Sequence, residues 1–285
     1  MEIILYIITD FVTAQEGWKF MTPKIAALDL DETLLHSDMT ISEYSRNVIR
    51  QVQQKGIHVV IATGRMFSSA CLKARELDIG DVPVICYTGA WIGLCESGTV
   101  LHKDSLPLSE ARSVLALARR KGWMIQSYIN DVLCLPEEGE LEKRYSRYRS
   151  KPPVYLGEAF WEPAEAPTRL ILIEADPKRR QRIREELSDQ FGDAVDMVYP
   201  GDDFIDIHKK GVSKASALRI LCRQWKIGMG ETAAFGNSEN DVSMLREAGW
   251  SYAVSNAEPA ALAAARFHIE SNDRDGVARV LETFL

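Results

Sequence analysis

Ile25-Ala-Ala-Leu-Asp-Leu-Asp-Glu-Thr-Leu-Leu35 is the stretch of sequence from which the fold of this chain can be inferred. It predicts an apolar strand that ends abruptly in two carboxylates, Asp29 and Asp31, followed by the hydroxyl of Thr33. A buried carboxylate without a partner costs several kcal/mol, and alternate residues of an extended segment point the same way. The two carboxylates can therefore share a divalent cation, or divide the duties of nucleophile and acid/base. A strand that simply exits into an acidic turn is the structural alternative.

Composition and charge are those of a soluble globular protein. Of the 285 residues, 46% are hydrophobic and 26% are charged, and this length allows one large domain or two of ordinary size. The formal net charge of -7 argues against a general surface for nucleic acid or anionic membranes. Five cysteines are scattered without metal-binding spacing, so we expect small buried side chains in a reducing compartment, and neither a disulfide framework nor a zinc site. These features predict a cytoplasmic protein with no nucleic-acid and no membrane partner.

The first 22 residues are predicted to form a peripheral N-terminal extension. Their apolar run, residues 3–12, is interrupted by Asp10 and is too short to span a bilayer. No basic region precedes this run and no clear cleavage site follows it, so the pattern does not indicate a signal peptide.

From residue 23 onward the sequence alternates between apolar strands and helices. Strands are predicted at residues 24–31, 58–63 and 83–87, with helical patterns between them. Continuous apolar strands that alternate with helices indicate a parallel sheet covered on both faces. The fold class predicted from this pattern is α/β.

The middle of the chain has a different character. Residues 90–200 combine a hairpin pattern, helical segments and one strong isolated strand, which is typical of an inserted α+β domain. The alternating pattern returns after Gly201. We therefore predict a core formed by residues 23–89 and 201–285, with residues 90–200 inserted between its two parts.

Four short polar segments each follow a predicted strand. They are Asp29-Leu-Asp31, Ala62-Thr63-Gly64-Arg65, Lys214 in the first turn of a predicted helix, and Gly236-Asn-Ser-Glu-Asn-Asp241. The carboxyl ends of parallel strands meet at one edge of a sheet, and sites assemble there. A glycine permits close approach of the backbone to a ligand, and a lysine at a helix start favours an anion.

Each of these segments also has a structural explanation of its own. Thr63-Gly64-Arg65 is a common turn sequence, and Lys214 can be a solvated lysine at a helix start. Asn240-Asp241 can be no more than the N-cap of a helix from Val242. Their joint order and their placement at strand ends are much harder to explain structurally.

Together the segments resemble the haloacid dehalogenase superfamily of phosphatases, in its Cof-like group with a large α/β cap (type IIB, C2 cap) inserted after the third core strand. The resemblance covers residues 23–285. It includes Tyr87-Thr-Gly-Ala90, Gly211-Val-Ser-Lys-Ala-Ser-Ala-Leu218, Val254-Ser-Asn-Ala257 and Ser271-Asn-Asp-Arg-Asp-Gly-Val277. It implies a Rossmann-like parallel-sheet core with an inserted α+β cap domain.

The resemblance implies a chemical role for each matching position. Asp29 would attack phosphorus in line and form an aspartyl-phosphate. Asp31 would protonate the leaving oxygen and then take a proton from the hydrolytic water. Thr63 would hydrogen-bond the phosphoryl group, and Lys214 would offset the negative charge. Such roles suit phosphoryl transfer, in which catalysis is mostly positioning and charge neutralisation.

Mg²⁺ is the cofactor that the resemblance implies. Its oxygen ligands would come from Asp29, Asp31 (through the backbone carbonyl), Asn237 and Asp241. The substrate phosphate would be bound by Asp29, Thr63, Gly64, Lys214 and Asn240. A hard cation such as Mg²⁺ takes oxygen ligands and keeps several waters.

Three positions depart from the family pattern. Asn237 stands where the family usually has a metal-binding aspartate, so we expect weaker binding of Mg²⁺. Glu32 replaces a frequent glycine, and Thr88 replaces a frequent asparagine near the junction with the cap.

The predicted activity is that of a Mg²⁺-dependent phosphatase of small phosphorylated metabolites, such as sugar or cofactor phosphates. A phosphosugar mutase on the same scaffold and a non-catalytic phosphometabolite-binding protein are the alternatives. An ion pump is excluded, because Asp31 suits transfer to water or a sugar hydroxyl and no transmembrane span is predicted. We expect a monomer or a weak homodimer. In the cap, Arg144, Arg147, Arg149 and Lys151 could attract a second anionic group or form a solvated helix face.

Overall fold

Two β-sheets form the frame of the computed structural model, which describes residues 22–139, 151–198 and 203–285. In chain order the strands are β1 (Ile25–Leu28), β2 (His58–Ala62), β3 (Pro83–Cys86), β4 (Trp91–Leu94), β5 (Val100–Lys103), β6 (Met124–Ile129), β7 (Val132–Leu135), β8 (Val154–Tyr155), β9 (Arg169–Ile173), β10 (Val195–Val198), β11 (Phe204–Lys209), β12 (Thr232–Gly236), β13 (Trp250–Val254) and β14 (Phe267–Ile269). The larger sheet has the order β14-β13-β12-β1-β2-β3-β4-β5, and the smaller sheet has the order β10-β11-β9-β6-β7-β8.

The larger sheet is the predicted parallel sheet. All pairings from β14 to β3 are parallel, and the β4–β5 hairpin adds two antiparallel strands at the edge. The helices are α1 (Glu43–Gln54), α2 (Phe67–Glu76), α3 (Leu108–Lys121), α4 (Pro177–Phe191), α5 (Lys214–Trp225), α6 (Val242–Glu247), α7 (Pro259–Ala264) and α8 (Gly276–Glu282). The α/β fold class predicted from the sequence is confirmed.

Strand β1 lies at the centre of this sheet and is shielded on both faces. Ala26 and Leu28 belong to an apolar cluster with α1, α2 and α8, whereas Ile25 and Ala27 belong to a second cluster with α5, α6 and α7. Full burial of a large apolar side chain contributes about 1.5–3 kcal/mol, which explains why β1 is apolar at every position. Its carboxyl end, and therefore Asp29, lies at the middle of the sheet edge.

The smaller sheet is covered by helices on one face and by the larger domain on the other. Leu170 and Leu172 of β9 pack with α3 and α4. The alternate residues Ile171 and Ile173 belong to the same apolar cluster as Tyr87, next to the larger sheet. The alternation within β9 therefore places one face of the smaller sheet over the larger one.

Sheet membership differs from the predicted domain boundaries at two places. The β4–β5 hairpin falls within the predicted insert but pairs with β3 of the larger sheet. Strand β11 falls within the predicted second half of the core but pairs with β9 and β10 of the smaller sheet. We therefore propose that the insert begins near residue 104 and ends near residue 210. Residues 1–21 of the predicted extension, and Arg144, Arg147 and Arg149 of the basic cluster, lie outside the described residues.

The expectation of unpaired cysteines is wrong for two of the five. Cys71 of α2 and Cys95, next to β4, form a disulfide. Their sequence separation of 24 residues carries no motif, and they meet only because α2 packs beside the β3–β4 edge. Cys86, Cys134 and Cys222 are buried thiols, as expected.

Helix lengths and composition also bear on membrane association. None of the helices within residues 22–139, 151–198 and 203–285 combines the length and the hydrophobicity that a membrane-spanning segment needs.

Candidate functional site

A buried lysine joins two carboxylates at the carboxyl edge of the larger sheet. Lys214 Nζ donates to Asp29 Oδ1 at 2.7 Å and to Asp241 Oδ1 at 2.6 Å. The side chains of Lys214 and Asp241 are fully buried, and that of Asp29 is 6% exposed. These three residues come from different elements: Asp29 follows β1, Lys214 begins α5, and Asp241 precedes α6.

The position of Lys214 is set by the cap of its helix. The side chain of Ser213, the N-cap of α5, accepts from the Ser216 amide, and the Ser216 hydroxyl accepts from the Ser213 amide. This reciprocal arrangement is a capping box, which fixes the first turn of the helix. Gly89 (φ +115°) contributes by close approach, because a Cβ at this position would lie 2.1 Å from the carbonyl oxygen of Ser213.

Asp241 is held by the loop that precedes it. Its Oδ2 accepts from the backbone amides of Asn237 at 2.9 Å and Ser238 at 3.1 Å, while its Oδ1 accepts from Lys214. Gly236 makes this possible, since a Cβ there would lie 2.5 Å from Cβ of Asp241. Asp241 therefore orients the loop and Lys214 rather than capping α6 with its side chain.

In this site one lysine, Lys214, faces two carboxylates, so negative charge exceeds positive charge. Burial, and next the neighbouring charge of Asp241, raise the pKa of Asp29 to about 7, although Lys214 acts in the opposite direction. Burial alone would lower the pKa of Lys214, but Asp241 and Asp29 outweigh burial and raise it. Lys214 thus remains an ammonium group, and Asp29 would be stabilised as a carboxylate by an additional cation.

Asp31 has a different environment from Asp29. Arg65 donates to both of its oxygens, from Nε to Oδ2 at 2.8 Å and from Nη2 to Oδ1 at 2.6 Å. The Asp31 side chain is 40% exposed and therefore open to solvent, whereas that of Asp29 is 6% exposed. This difference in exposure separates the two carboxylates that the sequence places two residues apart.

Thr63 lies buried at the end of β2. Its Oγ1 accepts from the backbone amide of Arg65 at 3.2 Å, which leaves the hydroxyl proton free to be donated. Next to it, a Cβ on Gly64 would lie 3.3 Å from Asn240 Nδ2, so these two predicted phosphate-binding residues are neighbours. Asn240 Oδ1 accepts from the Ser238 hydroxyl at 2.8 Å, so the atom of Asn240 that faces Gly64 is the donor Nδ2.

The oxygen atoms around Asp29 fit a hard divalent cation. Among the described residues the Asp29 carboxylate bonds only to Lys214, through Oδ1, so Oδ2 is available. The Asn237 side-chain oxygen accepts from the Thr33 hydroxyl at 3.1 Å and keeps a second lone pair. Within the described ranges no cluster of three or more His, Cys, Asp or Glu side chains has metal-binding geometry. A site with few carboxylates, a carbonyl, an amide and waters is the kind that Mg²⁺ uses.

Three polar residues beside the site, Arg65, Arg169 and Asp206, have no role predicted from the sequence. Arg65 was quoted only as part of a turn, although its side chain holds Asp31. Arg169 of β9 donates from Nη1 to the Gly64 carbonyl at 2.6 Å and to Asp206 of β11 at 3.1 Å. The available signal was a charged residue at the start of the apolar strand β9, and another between two isoleucines of β11.

Comparison with known proteins agrees with this geometry. The chain is 27% identical over 267 residues to the 5-amino-6-(5-phospho-D-ribitylamino)uracil phosphatase YitU of Bacillus subtilis, covering 92% of this chain and 97% of that protein. It is also 26% identical over 274 residues to the pyridoxal phosphate phosphatase YbhA of Escherichia coli, covering 93% of this chain and 100% of that protein.

The fold has a close counterpart among solved structures, and a family model matches most of the chain. The X-ray structure of TM0651 from Thermotoga maritima matches with a TM-score of 0.79 at 30% identity, covering 91% of this chain and 97% of that one. A sequence model of the haloacid dehalogenase-like hydrolases matches residues 26–281. The chain therefore belongs to the family of haloacid dehalogenase-like hydrolases.

Proposed function

We propose that this protein is a Mg²⁺-dependent phosphatase of small phosphorylated metabolites, acting through an aspartyl-phosphate on Asp29. The observation that carries the proposal is the buried contact of Lys214 with Asp29 and Asp241. A lysine placed at a carboxylate nucleophile neutralises the charge that would otherwise repel a phosphate. Membership in a hydrolase family with several phosphatases supports the same conclusion.

In the first step, one oxygen of Asp29 attacks phosphorus and the bond from phosphorus to the leaving oxygen breaks. Asp31 gives its proton to that oxygen, so the product leaves as an alcohol. The partial exposure of the Asp31 side chain suits this role, because it leaves the carboxyl group accessible to the leaving oxygen and, in the second step, to the hydrolytic water. Thr63 donates a hydrogen bond from its hydroxyl to the phosphoryl group, because its Oγ1 already accepts from the Arg65 amide.

In the second step, water attacks phosphorus and the bond to Asp29 breaks. Asp31, now a carboxylate, takes the proton of this water and is ready for the next substrate. Inorganic phosphate is released and Asp29 is restored. Lys214 remains charged throughout, since its two carboxylate partners raise its pKa despite burial.

Mg²⁺ would be held by Asp29, the backbone carbonyl of Asp31 and Asn237, and when bound it would neutralise charge on the transferring phosphoryl group. Both oxygens of Asp241 are engaged with Lys214 and the backbone, so this residue would orient the loop. We therefore assign Asp241 a supporting role at the metal rather than that of a principal ligand.

The substrates we propose are small phosphate monoesters. The relatives named above are phosphatases of 5-amino-6-(5-phospho-D-ribitylamino)uracil and of pyridoxal phosphate. Arg169 of the smaller sheet contacts Gly64 at the edge of the site, which supports a role for this sheet in contacting the leaving group. Both compounds, together with sugar phosphates, form the first panel to be assayed.

Phosphate release from this panel and from a generic aryl phosphate, with and without Mg²⁺, tests the proposal. We expect Mg²⁺-dependent release that is lost in Asp29→Asn and retained in Asp38→Asn. Asp38 is an exposed aspartate that bonds to Thr40, so it controls for loss of one negative charge. Absence of Mg²⁺-dependent turnover would contradict the proposal, and an isomeric sugar phosphate in place of inorganic phosphate would indicate a mutase.

A further inference from the structure

Two charged side chains lie buried on the face of the smaller sheet that covers the site. Arg169 Nη1 donates to Asp206 Oδ2 at 3.1 Å, and the two side chains are 7% and 0% exposed. The guanidinium lies between two rings, 4.9 Å from that of Tyr87 and 4.6 Å from that of Tyr128. Tyr87 follows β3 of the larger sheet and Tyr128 belongs to β6 of the smaller one, so Arg169 lies at the boundary between the sheets.

Stability alone does not account for this pair. Nε of Arg169 and Oδ1 of Asp206 have no hydrogen-bond partner among the described residues. A buried ion pair with unsatisfied atoms contributes little net stability, and apolar replacements of similar size are often neutral. The pair is more readily explained by what Arg169 contacts across the boundary.

Arg169 contacts the phosphate-binding segment through a backbone carbonyl. Its Nη1 donates to the oxygen of Gly64 at 2.6 Å. The amide of that same peptide group belongs to Arg65 and donates to Thr63 Oγ1 at 3.2 Å. One peptide plane therefore connects Arg169 to the hydroxyl of Thr63, and a charged donor on its carbonyl polarises and orients its N–H.

A strained residue holds the pair from the other side. Thr88 has φ +57°, which is unusual for a β-branched residue, and its Oγ1 donates to Asp206 Oδ2 at 3.1 Å. Its backbone amide bonds to the carbonyl of Thr63 at 3.3 Å. Such strain persists where the surrounding contacts hold the backbone in place. Here the two contacts of Thr88 connect Asp206 to Thr63, the residue that precedes Gly64.

We propose that Arg169 is a positioning residue, which through the Gly64 carbonyl sets the Thr63 hydroxyl for phosphoryl binding when the smaller sheet covers the site. Asp206 and Thr88 orient Arg169 for this contact. The inference rests on the proposed phosphatase function for what Thr63 binds. It adds a residue of the inserted sheet to the parts on which phosphate binding depends.

The test removes both charges of the pair at once. Arg169→Met alone would leave Asp206 buried and uncompensated, so the informative variant is Arg169→Met combined with Asp206→Leu, which keeps the packing volume. With an aryl phosphate and Mg²⁺ we expect kcat/KM to fall roughly 10- to 100-fold, while the thermal midpoint stays close to that of the wild type. Inorganic phosphate should also inhibit the double variant more weakly.

Arg112→Gln is the matched control. Arg112 also donates to a backbone carbonyl, that of Pro163, but this contact lies within the inserted segment and away from Gly64. We expect kinetics and phosphate inhibition like those of the wild type.

A second readout does not depend on turnover. Hydrogen exchange of the Arg65 amide should be faster in the double variant, while the Asp29 amide, which donates to Phe235, should be unchanged. A folded double variant with wild-type kinetics and unchanged Arg65 exchange would overturn the inference. If the wild type binds inorganic phosphate but shows no turnover, the proposed phosphatase activity is wrong. In that case, weaker phosphate binding together with faster Arg65 exchange in the double variant would still support the positioning role of Arg169.

Discussion

Asn237 contributes to the proposed Mg²⁺ site an amide oxygen that carries no charge. Its side-chain oxygen accepts from the Thr33 hydroxyl and its backbone amide donates to Asp241, so an aspartate at this position would add a negative charge next to both segments. We expect Asn237→Asp to lower the Mg²⁺ concentration needed for half-activity by roughly 10-fold, because affinity for a hard cation rises with the charge of its ligands. A Mg²⁺ titration of activity measures this directly.

The same substitution has a second expected effect that does not require turnover. Without metal, a further carboxylate near Asp29 and Asp241 should lower the thermal midpoint, and Mg²⁺ should then raise that midpoint by more than in the wild type. Asn237→Ser serves as the control, since it removes the amide oxygen without adding charge. A half-activity concentration that is unchanged or higher in Asn237→Asp would contradict the role proposed for Asn237.

Glu32 stores a small amount of backbone strain. It is exposed and has φ +57°, a left-handed conformation that costs a residue with a Cβ roughly 1–2 kcal/mol. Glycine adopts this conformation freely but loses more entropy on folding, so we expect Glu32→Gly to raise the free energy of unfolding by about 0.5–1 kcal/mol. Urea denaturation measures the change.

Glu43→Gly is the matched control for that experiment. Glu43 begins α1 with right-handed backbone, so glycine there should destabilise the protein by up to about 1 kcal/mol. If both variants lose stability, the backbone explanation for Glu32 is incorrect.

The sequence predicts the location of those residues that lie at a strand end or at the start of a helix. Asp29, Thr63 and Lys214 follow apolar strands or begin a helix, and the structure places them at one edge of the larger sheet. The contact of Arg65 with Asp31 could not be read in this way. It joins side chains 34 residues apart, and only the folded loops determine which partner each side chain meets.

At the scale of the element, the start of α5 depends on how closely the turn at Tyr87–Gly89 approaches it. Gly89 has φ +115°, and a Cβ would meet the Ser213 carbonyl at 2.1 Å. Gly89→Ala should therefore cost about 2–5 kcal/mol of unfolding free energy, because it adds backbone strain to a backbone clash. It should also lower activity by moving Lys214, the residue next to Ser213. Urea unfolding and kcat are the measurements.

Gly98→Ala separates these two causes. Gly98 has φ +71° but no atom within 4 Å of an added Cβ, so this variant carries the strain without the clash. We expect a cost of about 1 kcal/mol and unchanged kcat. If the two variants lose the same unfolding free energy and the same kcat, the close approach of Gly89 to Ser213 contributes to neither stability nor activity.

Element boundaries could be predicted where the apolar pattern changes and were missed where the backbone makes an unusual turn. The predicted strand at residues 83–87 ends one residue early, at Cys86, because Tyr87 and Thr88 both have positive φ. The hairpin of β6 and β7 received no assignment. Its turn, Asn130-Asp131, has positive φ at both positions, which suits a tight hairpin, but polar residues within β6 obscure the apolar run.

At the scale of the molecule, the sequence predicted a core and an inserted domain, but not how the two pack against each other. The continuous apolar run of β9 was sufficient to predict a strong strand, and both of its faces are covered, one by helices and one by the larger sheet. Arg169 begins β9 and Asp206 lies between two isoleucines of β11 at this boundary. The role proposed for these two residues depends on contacts between the two sheets, and the sequence does not show how the sheets are placed relative to each other.

Asp275 joins distant parts of the chain. Its Oδ1 accepts from the Ser42 hydroxyl at 2.6 Å, the Ser45 hydroxyl at 2.8 Å and His36 Nε2 at 3.0 Å. Burial alone would raise the pKa of this carboxyl group, but hydrogen bonds from Ser42, Ser45 and His36 outweigh burial and lower it. The folded protein therefore holds a proton at this position less readily than the unfolded chain does.

The sign of the pH dependence follows from this lowered pKa. The Asp275 carboxylate contributes its full stabilisation above the unfolded pKa of about 3.9, and the contribution is lost as the pH falls through the lower folded value. Asp275→Asn keeps an acceptor and tolerates the positive φ at this position, but replaces charged hydrogen bonds with neutral ones. We expect it to lower the free energy of unfolding by about 1–2 kcal/mol at pH 7.

The difference between wild type and Asp275→Asn should persist from neutral pH down to about pH 5 and then shrink below about pH 4, as the wild-type carboxylate is protonated. Urea unfolding of both proteins across this range measures it. Asp189→Asn, at an exposed position of α4, controls for loss of one surface charge and should follow the wild type at every pH. A difference for Asp275→Asn that stays constant to pH 3 would mean that the carboxylate charge does not stabilise this junction, and that packing alone joins α8 to α1.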